Sequence, residues 1–221
     1  MACLQNSAGS ALIPKVLGIY EKELTPVLES MVKLAPDVLL DVGCAEGYYA
    51  VGMRRRLPAS SRVRAYDIDP AARTLLAELC RLNNVEGGVE IATECTHAEL
   101  ERECAQARRP CIICDIEGFE DKLLDPTQAA SLAKAHILVE LHEFLVPGVG
   151  MRLRNRFGLS HTIEEIVTTP RARSEFPFRS WYSAVLPHRY LDWAVSEWRP
   201  GPMSWLWMRP KVQASAPLEG V

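Results

Sequence analysis

Four short apolar runs in this chain each close on an acid followed by a turn, and segments of helical spacing lie between them. DVLLDVG (37–43) carries Asp41, RVRAYDIDP (62–70) carries Asp67, RPCIICDIEG (109–118) carries Asp115 and AHILVELHEF (135–144) carries Glu140. GGVEIATEC (87–95) reads as a further strand by β-branched content and alternation. Between them, YYAVGMRRRL (48–57), AARTLLAELCRLNNV (71–85), THAELERECAQAR (96–108) and LLDPTQAASLAKA (123–135) read as helices, the second with Ala72, Leu75, Leu76, Leu79 and Leu82 on one face. Strands alternating with helices predict a parallel sheet covered on both faces, with right-handed crossovers. In such a sheet the ligand sits beyond the carboxyl ends of the strands, at the switch in strand order. The four acids fall at those ends.

Later, SHTIEEIV from Ser160 reads as a helix with Ser160 as its N-cap, whereas FRSWYSAVLP (178–187) and PMSWLWMRPK (202–211) read as late strands. The count predicts an α/β, Rossmann-like, doubly wound and mostly parallel seven-stranded sheet. Ahead of it, helical spacing through Leu12–Leu34, interrupted at Pro26, predicts two short helices. The expected organisation is an N-terminal helical extension over 1–36, the α/β domain over 37–212 and a tail over 213–221. The extension has three open roles: a cap on the site, a homodimer contact, or packing on the sheet.

The chain of 221 residues is long enough to bury a core without disulfide or metal staples. Its seven cysteines are an odd number, and MACLQNSAGSALIPK lacks a charged region followed by an apolar one. The expectation is a cytoplasmic protein with reduced thiols and no membrane partner. Cys111 and Cys114 have redox or zinc spacing, but they bracket Ile112 and Ile113 in an apolar run and read as buried strand thiols. A net charge of −3 argues against a nucleic-acid binder. Residues 1–150 carry 15 Lys/Arg against 22 Asp/Glu, a net of −7, and residues 151–221 carry 10 against 6, a net of +4. That asymmetry reads either as an ordinary mixed surface or as a region receiving an anionic small molecule. The spacing of Arg152, Arg154 and Arg156 suits a strand face or a loop, with solvated charge as the ordinary reading; on the second reading, Arg154, Arg156 and His161 would hold a carboxylate or phosphate. Trp205, Trp207, Trp193, Trp198, Trp181 and Tyr182 read mainly as packing residues, one or two of them lining a pocket.

In LDVGCAEG, Gly43 and Gly47 with Ala45 between them permit a tight turn and close approach of a ligand to the backbone. Tyr48 stands where a dinucleotide loop needs its third glycine, which argues against a nicotinamide cofactor. Asp67, about 20 residues beyond that turn, is placed to accept from both hydroxyls of a ribose. Asp69, before Pro70, reads as a helix N-cap. Glu140 and His142 are two apart and share a strand face, beside Asp115 if the strands are neighbours. Two readings of that trio stay open: a divalent metal site of Asp115, Glu140 and His142, or a general base at His142 oriented by Glu140.

DVGCAEGYYA, then AYDIDP, then CDIEGFE with Leu123-Leu124, resembles the FkbM-type branch of the class I S-adenosylmethionine-dependent methyltransferases over about residues 38–145. The loop departs from the family pattern at its centre, and Phe119 replaces a usual Ala. The resemblance implies S-adenosylmethionine as cofactor, held by Asp41, Gly43, Ala45, Glu46, Gly47, Tyr48, Asp67, Ile68 and Asp115. It implies methyl transfer to a small-molecule acceptor, most readily at oxygen, with His142, Asp115 and His161 as catalytic candidates. Catechol-type O-methyltransferases are similar in placing metal ligands at the ends of the same two strands. A cofactor-binding enzyme of the same fold with other chemistry, or a non-catalytic binding module, are the alternatives.

Overall fold

The computed structural model describes residues 1–4, 11–178, 185–199, 201 and 203–211. The chain opens with α1 (Leu12–Leu17), a 3-10 turn at Lys22–Leu24 and α2 (Thr25–Leu34), where Pro26 sits in the first turn, as its missing N–H allows. The α/β part then runs β1 (Val38–Val42), α3 (Tyr48–Arg54), β2 (Arg62–Tyr66), α4 (Pro70–Leu82), β3 (Val89–Ala92), α5 (His97–Gln106), β4 (Pro110–Cys114), α6 (Glu120–Leu123), β5 (His136–Leu141), α7 (Val149–Phe157), β6 (His161–Val167), α8 (His188–Val195) and β7 (Ser204–Pro210). No described helix is long and apolar enough to cross a membrane.

The seven strands form one sheet in the order β3-β2-β1-β4-β5-β7-β6, parallel through β1–β5, with β7 antiparallel to β5 and β6. The expected Rossmann-like, doubly wound sheet is therefore present. Every residue of β1 and β4 is buried, because helices cover both faces and leave no polar side to the strand. One face packs Leu40, Ile112, Val139 and Leu206 against Leu100, Leu153 and Phe157. The other packs Leu39, Ile113, Leu138 and Trp205 against Val27, Met31, Ala50 and Leu76. Cys111 and Cys114, three apart on a strand, fall into opposite clusters and are both free thiols, which removes the paired-thiol reading. Trp205 and Trp207 are core residues, whereas Trp193 and Trp198 are exposed.

Three local expectations are corrected. Residues 160–167 are not a helix: β6 pairs with β7 from His161↔Pro210 to Val167↔Ser204, and that partner lies too far along the chain for local periodicity to register. The β-branched Thr162, Ile163, Ile166 and Val167 suit the pleat. Conversely, the arginine-rich stretch placed on a strand face or loop is α7. It buries Val149, Leu153 and Phe157 at steps of four, and the Glu143 carboxylate accepts from the N–H groups of Gly148 (2.6 Å) and Gly150 (2.8 Å) at its start. Residues 123–135 hold no long helix, only the end of α6 and a 3-10 turn at Ala130–Lys134. Asp125 turns the chain there by accepting from Thr127 N–H (2.9 Å) ahead of the turn. The strand expected over 178–187 lies largely outside the described residues, as do Trp181, Tyr182 and the tail over 213–221.

The strand order reverses between β1 and β4, and the loops leaving these two strands touch there. Gly43 has φ +80°, and a Cβ on it would lie 1.7 Å from the Asp115 carbonyl oxygen. Gly43→Ala therefore combines backbone strain with a backbone clash and is expected to lower stability by about 3 kcal/mol or more in urea unfolding. Gly87→Ala, where an added Cβ meets nothing within 4 Å, is the neutral control.

Candidate functional site

A cavity of about 900 Å³ opens at the carboxyl ends of the central strands. At one side the β1 and β2 loops are clasped together. Gly43 and Cys44 donate to the Tyr66 carbonyl (2.9 and 3.0 Å), and Ala45, itself at φ +47°, donates its N–H to Asp67 Oδ2 (2.8 Å). Asp67 Oδ1 accepts from Asp69 N–H (2.9 Å), while Asp69 caps α4 through Ala71 N–H (2.8 Å), as its place before Pro70 predicts. Gly43, Ala45, Tyr48, Asp67, Ile68 and Asp115 line the cavity.

Asp41, Glu46 and Gly47 do not line it. Asp41 lies beneath the loop at 2% exposure, with Oδ2 lacking any hydrogen-bond partner. Burial, joined by the negative Asp67 and Glu46, pushes its carboxyl up to about 7. Glu46 turns to α1 and pairs with Lys15, whose Nζ also sits over the Tyr20 and Tyr48 rings (4.9 and 5.3 Å).

Across the cavity, His142 follows the last residue of β5 and meets four carboxylates. Its Nδ1 lies 2.7 Å from Glu120 Oε1. A carboxylate there can only accept, so Nδ1 carries the proton and Nε2 faces Glu117 Oε2 (3.2 Å), Asp115 Oδ1 (3.6 Å) and Glu140 Oε2 (3.8 Å). Burial pushes the Glu120 carboxyl up, but the bonds from His142 and Gly118 N–H outweigh it and hold the group below its ordinary value. Burial likewise favours the neutral imidazole, yet Glu120, Glu140 and Glu117 raise His142 above its ordinary value. Asp115 is pushed well above the carboxylate range, first by burial and then by Glu140 and Glu21. Asp115, Glu140 and His142 each bring a ligand atom within 4.8 Å of the others.

A cover flanks the cavity from two distant parts of the chain, through Tyr20 from the N-terminal segment and Glu197, Trp198 and Arg199 from the segment before β7. Arg199 Nη1 donates to Glu140 Oε1 (2.8 Å) and Nε to Glu197 Oε2 (2.9 Å), and Nη2 pairs with Glu21. Glu21 is 2% exposed, and burial together with Glu140 pushes its carboxyl up to about 8 in spite of that arginine.

The structure brings Asp115, Glu140 and His142 together, as the strand-end pattern predicts, and does not bring the basic residues after β5 to them. His161 is at the start of β6, 2% exposed and off the cavity wall, with Nε2 against the Ala135 carbonyl (2.9 Å) and Nδ1 against Ser160 Oγ (2.8 Å). Arg154 pairs with Glu165 (2.7 Å), and Arg156 donates to the Asp121 and Leu124 carbonyls. Their role in the acceptor pocket is corrected accordingly: α7 directs Arg154 and Arg156 to other partners, β6 buries His161, and none of the three lines the cavity. Glu117, Glu120, Glu21, Glu197 and Arg199 were missed. The first two lie inside the CDIEGFE motif, whose repeated acids were a usable signal; the others are joined to the site only through contacts 59 to 178 residues apart.

No protein-family model and no curated protein matches the chain. Solved structures share its fold. An O-methyltransferase from Bacillus cereus, solved with S-adenosylhomocysteine, has TM-score 0.55 at 10% identity and covers 89% of each chain. The O-methyltransferase TomG from Streptomyces achromogenes, solved with S-adenosylmethionine, has TM-score 0.54 at 13% identity over 91% of this chain and 92% of its own. A candidate rRNA methylase from Clostridium thermocellum has TM-score 0.55 at 11% identity over 85% and 95%. The architecture is thus one that methyltransferases use.

The buried Asp41 sets a stability prediction. Its folded value of about 7 lies above the ordinary 3.8, so the native state holds the proton more tightly than the unfolded chain. Stability falls as pH rises between these values and stays low above them. Asp41→Asn, which cannot ionise, is expected to exceed the wild type by about 1–4 kcal/mol at pH 8 and to show no gain at pH 4, by denaturant unfolding at each pH.

Proposed function

We propose that this chain is an S-adenosylmethionine-dependent methyltransferase acting on a small-molecule acceptor at oxygen. The observation that carries the reading is a single cavity that joins the clasped Gly43–Ala45 and Asp67 loops to the Asp115–Glu140–His142 cluster. The first half fits the cofactor. Small residues at 43–45 let a ligand approach the backbone, and the Asp67 carboxylate, already oriented by two amides, retains lone pairs for a ribose diol. Bound there, S-adenosylmethionine would supply an electrophilic methyl group.

The second half accounts for the acceptor's proton. Glu120 holds the Nδ1 proton and fixes the ring, so in the neutral imidazole Nε2 is the basic atom turned toward the cavity. Glu140 stabilises the imidazolium that forms when Nε2 takes a hydroxyl proton. Positioning and this proton removal are the contributions of the chain itself.

A second reading rests on charge. Asp115, Glu117, Glu120 and Glu140 surround one imidazole, and Arg199 is shared among three carboxylates. A divalent cation held by Asp115, Glu140 and His142 suits that oxygen-and-imidazole donor set and would polarise the acceptor oxygen. The basic residues expected to hold an anionic acceptor, Arg154, Arg156 and His161, are not on the cavity wall. Arg199, which reaches it, is already bonded to Glu21, Glu140 and Glu197.

Titration of the wild type with S-adenosylhomocysteine in a calorimeter is expected to give one-site heat, and Asp67→Ala to weaken binding by about 10-fold or more, as loss of a charged hydrogen-bond partner does. No heat with either S-adenosylmethionine or its demethylated product overturns the function. A separate titration with Mn²⁺ decides the chemistry at the cluster: one site that is lost in His142→Ala supports the cation, and no binding to the wild type leaves the general base.

A further inference from the structure

The two segments that cover the cavity are joined by a lattice of buried charges. Arg171 binds Glu197 Oε1 through Nε (2.9 Å) and Glu23 through Nη2. Arg199 binds Glu197 Oε2 through Nε (2.9 Å) and Glu21 through Nη2. Glu21 N–H donates to Glu197 Oε1 (3.0 Å), and the Tyr49 hydroxyl donates to Glu21. Both arginines therefore tie the N-terminal segment to the segment before β7. They differ in one respect: the bonds of Arg171 stay within the cover, whereas Arg199 Nη1 reaches the end of β5 and donates to Glu140 Oε1 (2.8 Å).

That bond divides the Glu140 carboxylate. Oε1 is committed to the guanidinium, which leaves Oε2 facing His142 Nε2 at 3.8 Å. Glu140 is 4% exposed, and among the described residues Arg199 is the only Lys or Arg paired with it. A carboxylate so buried needs a compensating partner, and the planar guanidinium fork fixes direction as well as charge, which an ammonium does not. Trp198 takes φ +55°, costly for a bulky residue, and on either side of it Glu197 and Arg199 both enter the lattice.

We propose that Arg199 is a positioning residue: by holding Glu140 Oε1 it fixes the oxygen that faces His142, so the Glu140–His142 pair is assembled only when the two cover segments are docked. Neither terminal segment completes the site alone, because Glu21 and Glu197 orient the guanidinium and Glu140 receives it. The proposal deepens the reading of this cavity as an active site and rests on it for its catalytic meaning.

The test reads the imidazole directly and needs no acceptor. The full chain is labelled with ¹⁵N-histidine, and the ring nitrogens of His142 are assigned by their loss in His142→Gln. Arg199→Gln is expected to displace the His142 ring signals and leave the other imidazoles in place. Arg171→Gln, which loosens the same cover without touching Glu140, is expected to leave His142 unmoved. Arg199→Lys, retaining charge without the fork, is expected to give an intermediate displacement. Unchanged His142 signals in Arg199→Gln, or an equal displacement in Arg171→Gln, overturn the proposal. If Arg199→Gln does not fold, Arg199→Lys decides: displaced signals support the proposal and wild-type signals overturn it. S-adenosylhomocysteine titration of the same wild-type sample separates the two readings. Absent heat fails the methyltransferase assignment whatever the spectra show, and heat with unmoved spectra fails only the role of Arg199.

Discussion

Carboxylates gathered at the ends of a buried parallel sheet are tolerable only when something answers their charge, and the site is organised around those answers. Asp67 is answered by two backbone amides, Glu120 by His142 and the Gly118 N–H, and Glu140 by Arg199. Besides Glu120 Oε2, two carboxylate oxygens of the site are left over, Asp41 Oδ2 under the loop and Asp115 Oδ1 at the cavity wall. Both of these groups are pushed upward chiefly by burial. One shortfall lies in packed protein and weighs on stability. The other belongs to a residue on the cavity wall, beside Glu140 and His142.

The scaffold makes these encounters unavoidable. Strands that run parallel deliver all their carboxyl ends to one edge, and the reversal of order at β1 and β4 opens a crevice there. The loops are kept tight by Gly43, which lies against the Asp115 backbone, and by the Ala45–Asp67 bond. Two opposed half-sites therefore face one cavity from neighbouring strands. The cover adds ion pairs between distant segments to the apolar packing of Ile19 and Leu24.

Local sequence carried much of this. The five parallel strands, the tight turn at Gly43, the Asp69 cap and the trio at Asp115, Glu140 and His142 are legible because each depends on spacing along the chain: alternation in a strand, a cap before a proline, acids at successive strand ends. One cause of misreading is a partner distant along the chain, unlike the local turn at Asp125 within 123–135. Residues 160–167 pair with β7 about 45 residues later, and His161, Arg154 and Arg156 follow their elements away from the strand ends. No periodicity encodes a partner of that kind.

The sequence by itself determined the alternating α/β architecture and the convergence of acids on the switch point, since both follow from the order of elements and the geometry of a parallel sheet. Only the tertiary structure decided which charges meet. It withdrew Asp41 and Glu46 from the cavity wall, set Glu117 and Glu120 against His142, and carried Arg199 across the fold to Glu140 while Glu21 arrived from the opposite end of the chain. The physical reason is that a hydrogen bond acts over about 3 Å in space and is indifferent to sequence distance, so ion pairs spanning 59 and 178 residues leave no local trace.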